Sequence, residues 1–265
     1  MLEMLEKLYQ KVRSYILSEQ FKRSQVYGQF AGHTTMLFDR EAEDIIIEGL
    51  TESGLGFEVI TEERPAFSTH PSPPYRIVID PVDGSTNVMR GIPIAGVSLA
   101  VLSIDAPISP EHVQWALVGE LFSGTIYQAQ RGSGAFCNGQ RCRASETTRL
   151  QDCLAGMNFD GRDLETLRKL IAVPPPLGKV RRTGSSAMDI VYVASGAYDA
   201  YIDIGDVITA ESFLAALSIV LEAGGIVSDQ HGKSLRHITS LTEGFSLVAA
   251  GTRELHEAIL ARING

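Results

Sequence analysis

Asp80-Pro-Val-Asp-Gly-Ser-Thr86 follows directly on the apolar run Tyr75-Arg-Ile-Val-Ile79. The run has the β-branched content of a buried strand, and it leads straight into an acidic turn. Pro81 fixes one φ angle and Gly84 permits a tight bend. Side chains alternate along a strand, whereas a turn is able to aim two carboxylates three positions apart, Asp80 and Asp83, at one point. Hard cations such as Mg²⁺ take oxygen donors of this kind. Glu62, near the end of an expected strand over Phe57–Glu63, is a third such donor. Gly84-Ser85-Thr86 adds backbone N–H groups and hydroxyls suited to an anion. The spacing alone does not separate this reading from an ordinary Asp-Gly turn at a strand end.

Upstream, Leu2, Leu5, Leu8, Val12 and Ile16 recur at helical spacing, and a second helix is expected over Asp39–Leu50 with Asp39 at its N-cap. A proline-rich loop (Pro65, Pro71, Pro73, Pro74) precedes the Tyr75 strand. Downstream, strands are expected at Gly96–Ile104, Val113–Leu121 and Thr125–Ala129. Beyond Arg149 the pattern alternates. Helices are expected at Ser186–Ala194 and Phe213–Ala223, the latter closed by Gly224-Gly225, and a last one at Arg253–Ile263. Strands are expected at Ala200–Ile204, Ile226–Ser228 and Ser246–Ala250. The fold class is therefore α+β over residues 1–149, which carry the acidic motifs, and α/β over 150–265, which complete the pocket.

Composition narrows the chemistry. The net charge of -9 comes with no run of Lys and Arg, which disfavours nucleic acid as a partner. No stretch of about 18 apolar residues is present, so no membrane span is expected. Met1-Leu-Glu-Met-Leu-Glu-Lys-Leu8 lacks the basic start and unbroken apolar core of a secretory signal, and a cytoplasmic location is expected. The 3 cysteines, an odd number without a CxxC pair, read as reduced thiols. There is no GxSxG elbow, no P-loop and no HExxH, and the histidines are scattered singly.

The Asp80–Thr86 stretch, followed by Asn87 and Gly91-Ile-Pro93, resembles the Asp-Pro-Ile/Leu-Asp-Gly-Thr signature of the inositol monophosphatase family, the magnesium-dependent, lithium-sensitive phosphatases. Other motifs occur in the family's order. Thr61-Glu-Glu63 is similar to its Gly-Glu-Glu segment, and Arg131-Gly-Ser-Gly-Ala-Phe-Cys-Asn-Gly139 to its glycine-rich hairpin. Gly184-Ser-Ser-Ala187, Gly196-Ala-Tyr-Asp-Ala-Tyr201 and Glu222-Ala-Gly-Gly225 follow. The resemblance spans nearly the whole chain and implies a layered αβαβα sugar-phosphatase fold with two subdomains. It implies Glu62, Asp80, Asp83 and the Val82 carbonyl as metal ligands for two or three Mg²⁺ ions, with Mn²⁺ as a substitute. It implies that Thr86 with Asp39 orients the attacking water and that Gly84 and Ser85 hold the phosphate. Ser185, Ser186 and Asp203 would line the pocket for the substrate's hydroxyls. The implied substrate is a small phosphorylated metabolite, and the implied assembly a homodimer.

One motif departs from the pattern. The family places a ligand aspartate ten residues before its Glu-Ala-Gly-Gly, where this chain has Ser212, preceded by Glu211. A neutral hydroxyl does not replace a carboxylate in charge. Glu211 is the favoured substitute, with Asp206 and an under-liganded site as alternatives. Two functions follow: an active phosphatase, or a degenerate member that binds phosphometabolites or a protein partner with little turnover. Gly91-Ile-Pro93 and the loop from Asp203 to Ser212 look like the archaeal members, which act on inositol 1-phosphate and fructose 1,6-bisphosphate. Arg181 and Arg182 offer guanidinium groups for a second phosphate, or are simply exposed.

Overall fold

The computed structural model describes residues 1–19, 21–30 and 33–265. The chain runs α1 (Leu2–Ile16), β1 (Val26–Phe30), β2 (His33–Met36), α2 (Leu37–Glu52), β3 (Phe57–Thr61), β4 (Phe67–Ser68), β5 (Tyr75–Asp83) and α3 (Ser85–Arg90). It continues through β6 (Gly96–Ser103), β7 (Trp115–Glu120), β8 (Ile126–Gln130), β9 (Gly134–Cys137), β10 (Gln140–Arg141) and β11 (Leu154–Met157). Next come α4 (Leu164–Ile171), β12 (Lys179–Arg181), α5 (Ser186–Ala194) and β13 (Ala200–Ile208). The chain closes with α6 (Ala210–Glu222), β14 (Ile226–Ser228), β15 (Phe245–Ala250) and α7 (Arg253–Asn264).

Among the described residues, β3 to β10 build one sheet in the order 10-9-8-7-6-5-3-4, and β11 to β15 a second in the order 12-11-13-15-14. The pair β3/β5 is parallel and the neighbour β5/β6 antiparallel. The amphipathic stripe Leu5, Leu8, Tyr9, Val12 and Ile16 seats α1, together with α2, on the outer face of the first sheet. By contrast, α6 is buried on nearly every side, at Ala210, Glu211 and Phe213–Val220, which makes it a middle-layer helix. With α5 it fills the space between the two sheets, where Val78, Ala100, Phe213, Leu217 and Leu247 share one core. The outer face of the second sheet carries α4 and α7 through Leu167, Leu170, Leu255 and Ile259. The layers thus read helix, sheet, helix, sheet, helix, as expected of the αβαβα class.

Several expected boundaries shift for physical reasons. The Tyr75 strand continues past Asp80 to Asp83, because a bulge against β6 absorbs Pro81 without loss of pairing. Asp39 is the third residue of α2 rather than its N-cap, which is Met36. The helix expected from Phe213 begins at Ala210, so Glu211 stands in its first turn, where the helix dipole favours a carboxylate. No helix among the described residues is long and apolar enough to cross a membrane.

Candidate active site

The bulge in β5 is the first device of the site. Asp80 pairs with Ser98 and Asp83 with Gly96, so three steps on one strand oppose two on the other. An unbroken strand would send residues three apart to opposite faces, and the extra residue corrects this. Asp80 and Asp83 are both buried. Asp80 Oδ1 accepts the Val82 N–H at 3.1 Å and Asp80 Oδ2 lies 3.3 Å from Ser212 Oγ. Asp83 Oδ2 accepts the Ala187 N–H at 2.8 Å and the Ser185 hydroxyl.

The first turn of α2 brings Asp39 to the same place. Its Oδ2 accepts the Met36 N–H at 3.1 Å, and its Oδ1 lies 2.7 Å from Ser85 Oγ. That hydroxyl also lies 2.8 Å from the Val82 carbonyl oxygen. The partner of Asp39 is therefore Ser85 and not the expected Thr86, whose side chain is exposed. Gly84, at φ 98°, turns the chain from β5 into α3 just before this contact.

Glu62 follows β3, and Glu211 enters from α6 in the middle layer. Burial and the charges of Glu211, Glu63, Asp39 and Asp83 push the Glu62 carboxyl well above its ordinary range. Burial and the charges of Glu62, Asp83, Glu211 and Asp39 do the same to Asp80. Burial also lifts Asp39 to about 7, against the hydrogen bond from Ser85. Glu211 is raised to about 7, chiefly by burial. Asp83 rises less, to about 6, because Ser185 and the Ala187 N–H stabilise its anion. The charges acting on Glu62 and Asp80 are carboxylates of this same group, joined at Glu62 and Asp39 by Glu63.

The two candidate substitutes for the missing aspartate are placed differently, Glu211 in the first turn of α6 and Asp206 before it on β13. Glu211 Oε1 accepts the Thr209 hydroxyl, and Ser98 Oγ donates to the Glu211 carbonyl at 3.0 Å, which ties the start of α6 to the strand residue opposite Asp80. Glu211 Oε2 is buried and has no hydrogen-bond partner among the described residues. Asp206 is exposed on the β13 bulge, takes the Ser246 hydroxyl at 2.8 Å, and lines a separate cleft with Asp229, Lys233 and Arg236.

Among the described residues no three acidic, histidine or cysteine side chains stand close enough, as placed, to enclose one ion. Asp39, Asp80, Asp83 and Glu211 are each turned instead to a hydroxyl or amide. The donor set still fits a hard divalent cation: it is all oxygen, with Asp80, Asp83 and Glu211 buried, and among the described residues Glu211 Oε2 has no donor.

The expected substrate-facing residues are placed differently. Asp203 is fully buried; Arg162 holds both its oxygens at 2.7 and 2.8 Å, and Asn158 Nδ2 donates to it at 2.7 Å. Ser185 is buried and committed to Asp83, while Ser186 Oγ accepts from Asn158 Nδ2 at 3.2 Å. Arg182 pairs with Asp160 and reaches Asn158 Oδ1 at 3.3 Å, whereas Arg181 is exposed and donates to the adjacent Val180 carbonyl. Asn158 and Arg162 escaped the sequence reading, for they lie beyond a short strand with no motif around them.

A profile of the inositol monophosphatase family matches residues 2–265. A Methanothermobacter thermautotrophicus fructose-1,6-bisphosphatase/inositol-1-monophosphatase is 32% identical over 235 residues, covering 86% of this chain and 83% of that protein. A Mesorhizobium japonicum inositol-1-monophosphatase is 34% identical over 204 residues, covering 73% and 71%. The crystal structure of an inositol monophosphatase-fructose 1,6 bisphosphatase superposes with a TM-score of 0.83 at 25% identity, covering 98% of each chain. The buried carboxylate cluster on a five-layer frame is that of a phosphoric monoester hydrolase. The chain belongs to the inositol monophosphatase family, and the alternative of a binder with little turnover is not favoured.

Proposed function

We propose that this chain hydrolyses small sugar or polyol phosphates, inositol 1-phosphate and fructose 1,6-bisphosphate foremost, with Mg²⁺ as its cofactor. The observation that carries the reading is the gathering of Asp39, Asp80, Asp83 and Glu211, all buried, with Glu62, whose carboxyl and that of Asp80 are raised by burial and by the charges of the others. Glu62, Asp80, Asp83, the Val82 carbonyl and Glu211 would hold two or three divalent ions, Mg²⁺ or Mn²⁺. Bound there, such ions supply charge neutralisation at the phosphate and acidify a coordinated water.

The remaining work falls to the chain's own groups. Ser85 Oγ, held by Asp39 Oδ1, orients the attacking water and relays its proton to that carboxylate. Thr86, one residue on, is left at the exposed rim. Gly84 and Ser85 line the turn on which the phosphate rests, and no covalent enzyme intermediate is needed. Positioning of water and phosphate contributes roughly 7–11 kcal/mol of the barrier reduction, and charge stabilisation the larger share of the rest. Ser186 and the Arg182 guanidinium face the substrate's distal end, while Asp203 acts by holding Arg162. Residues 1–149 and 150–265 act as two subdomains that share the site, in a cytoplasmic homodimer.

The test is phosphate release from a sugar-phosphate panel with Mg²⁺, against an Asp80→Asn control. Release from inositol 1-phosphate or fructose 1,6-bisphosphate that chelation abolishes is the expected outcome. No release above the Asp80→Asn level for any member of the panel refutes it.

A further inference from the structure

The turn after β5 and the turn before α5 meet at two glycines with left-handed φ, 98° at Gly84 and 87° at Gly184. A Cβ on Gly184 would stand 3.0 Å from the Asn87 amide, and one on Gly84 3.3 Å from Ser185 Cβ. The two segments thus approach closely, and a side chain at either glycine would meet both a left-handed φ and a tight contact. Asn87, buried on α3, uses its Nδ2 to donate to the Ile94 carbonyl at 2.9 Å and to the Thr183 carbonyl at 2.8 Å. The Thr183 N–H donates in turn to Asp189 Oδ2 on α5 at 3.1 Å, and Asp189 is fully buried. Thr183 Oγ1 accepts the Ser185 N–H at 3.2 Å, and Ser185 donates its hydroxyl to Asp83.

Both backbone polar groups of Thr183 are therefore gripped by side chains, the carbonyl by Asn87 from the acidic-motif side and the N–H by Asp189 from α5. Two residues on, the same backbone delivers the hydroxyl that orients Asp83. Asn87 has spent both amide hydrogens on carbonyls, and Asp189 faces Thr183, so neither touches the reacting groups. Their effect has to pass through Thr183 and Ser185.

We propose that Asn87 and Asp189 are positioning residues that clamp Thr183 between them, and that this latch sets Ser185 against Asp83 and so fixes the Asp83 carboxylate for the cation. The inference rests on the phosphatase reading for its kinetic consequence and on the observed hydrogen bonds for its geometry. Loss of either grip should let the turn drift, in the way that displaced outer partners weaken metal sites.

The experiment uses the full chain and two readouts: phosphate release from inositol 1-phosphate with Mg²⁺, and Mn²⁺ binding without substrate, by electron paramagnetic resonance. Asn87→Ala and Asp189→Leu should each lower kcat about 10- to 100-fold and raise the half-saturating Mn²⁺ concentration several-fold, with KM within about twofold. Asp189→Asn keeps an oxygen for the Thr183 N–H and should stay within about threefold of wild type, and the double variant should be no worse than the worse single one. If Asp189→Leu does not fold, Gly184→Ala, which drives a methyl into the Asn87 amide, should give the same pattern.

Wild-type Mn²⁺ binding in folded Asn87→Ala, Asp189→Leu or Gly184→Ala would overturn the latch. So would Asp189→Asn as damaging as Asp189→Leu, or fully additive losses in the double variant. A wild-type protein that binds Mn²⁺ but releases no phosphate would count against the phosphatase reading and leave the binding arm to judge the latch.

Discussion

Glu211 and Ser212 share the place that the family gives to one aspartate, and the structure divides their duties. Ser212 donates toward Asp80, while Glu211 carries a carboxylate whose Oε2 is buried without a hydrogen-bond partner among the described residues. A buried carboxylate oxygen left unbonded costs about 1–3 kcal/mol or more, which a bound cation offsets. Glu211→Gln keeps the volume and removes the charge. It should reduce phosphate release about 10- to 100-fold and raise the Mg²⁺ concentration for half-maximal rate. Adding Ser212→Asp to that variant should restore most of the loss, which steady-state kinetics over a Mg²⁺ series will read. That Asp80 and Asp83 are neighbouring acids on one turn was legible from the motif, and Glu62, outside the motif, from the end of its strand. The hydrogen bond of Ser85, rather than Thr86, to Asp39 was not, because adjacent hydroxyls differ only in where α3 begins. Nor was the commitment of Asp203 to Arg162, a long-range ion pair between residues 41 positions apart.

At the scale of elements, what was readable followed hydrophobic period. The stripe of α1 and the largely apolar α6 declare their layers, and α5 and β14 fall at the expected residues. What was missed is short or polar: the β1–β2 hairpin, β12 with its Lys179-Val-Arg181, and β11. Such strands are held by neighbours rather than by their own pattern. The bulge in β5 also escaped, since it is a property of the pair with β6. Two packing predictions follow from the layers. A Cβ on Gly119 would stand 2.3 Å from the Tyr9 ring, so Gly119→Ala should force α1 off the sheet and cost about 1–3 kcal/mol in urea denaturation. Phe213→Ala in α6, fully buried against Phe245, should cost about 3–5 kcal/mol by the same measurement.

For the whole molecule the carboxylate cluster makes stability depend on pH and cation together. Burial raises Asp39 and Glu211 to about 7 and Asp83 to about 6 in the folded, cation-free chain. The ordinary carboxyl range of the unfolded chain is near 4. Between these limits the folded state holds more protons than the unfolded one. The contribution is therefore full below about pH 4 and is lost as pH rises through about 6 to 7. Saturating Mg²⁺ should then raise Tm little at pH 5 and by several degrees at pH 8, since about 2 kcal/mol corresponds to roughly 4–8 °C at this size. Scanning calorimetry with chelator and with Mg²⁺ at both pH values measures the difference, and an equal Mg²⁺ effect at both would contradict the linkage.

The most direct measurement is a crystal of this chain soaked with Mn²⁺ and phosphate, read by anomalous scattering. Manganese peaks are expected among Glu62, Asp80, Asp83 and the Val82 carbonyl, with a Glu211 carboxylate oxygen about 2.2 Å from one of them, at a manganese–oxygen bonding distance close to that of other hard divalent ions. Phosphate bound with no manganese peak at Asp80 and Asp83, or manganese there with Glu211 still turned to Thr209 alone, would contradict that expectation.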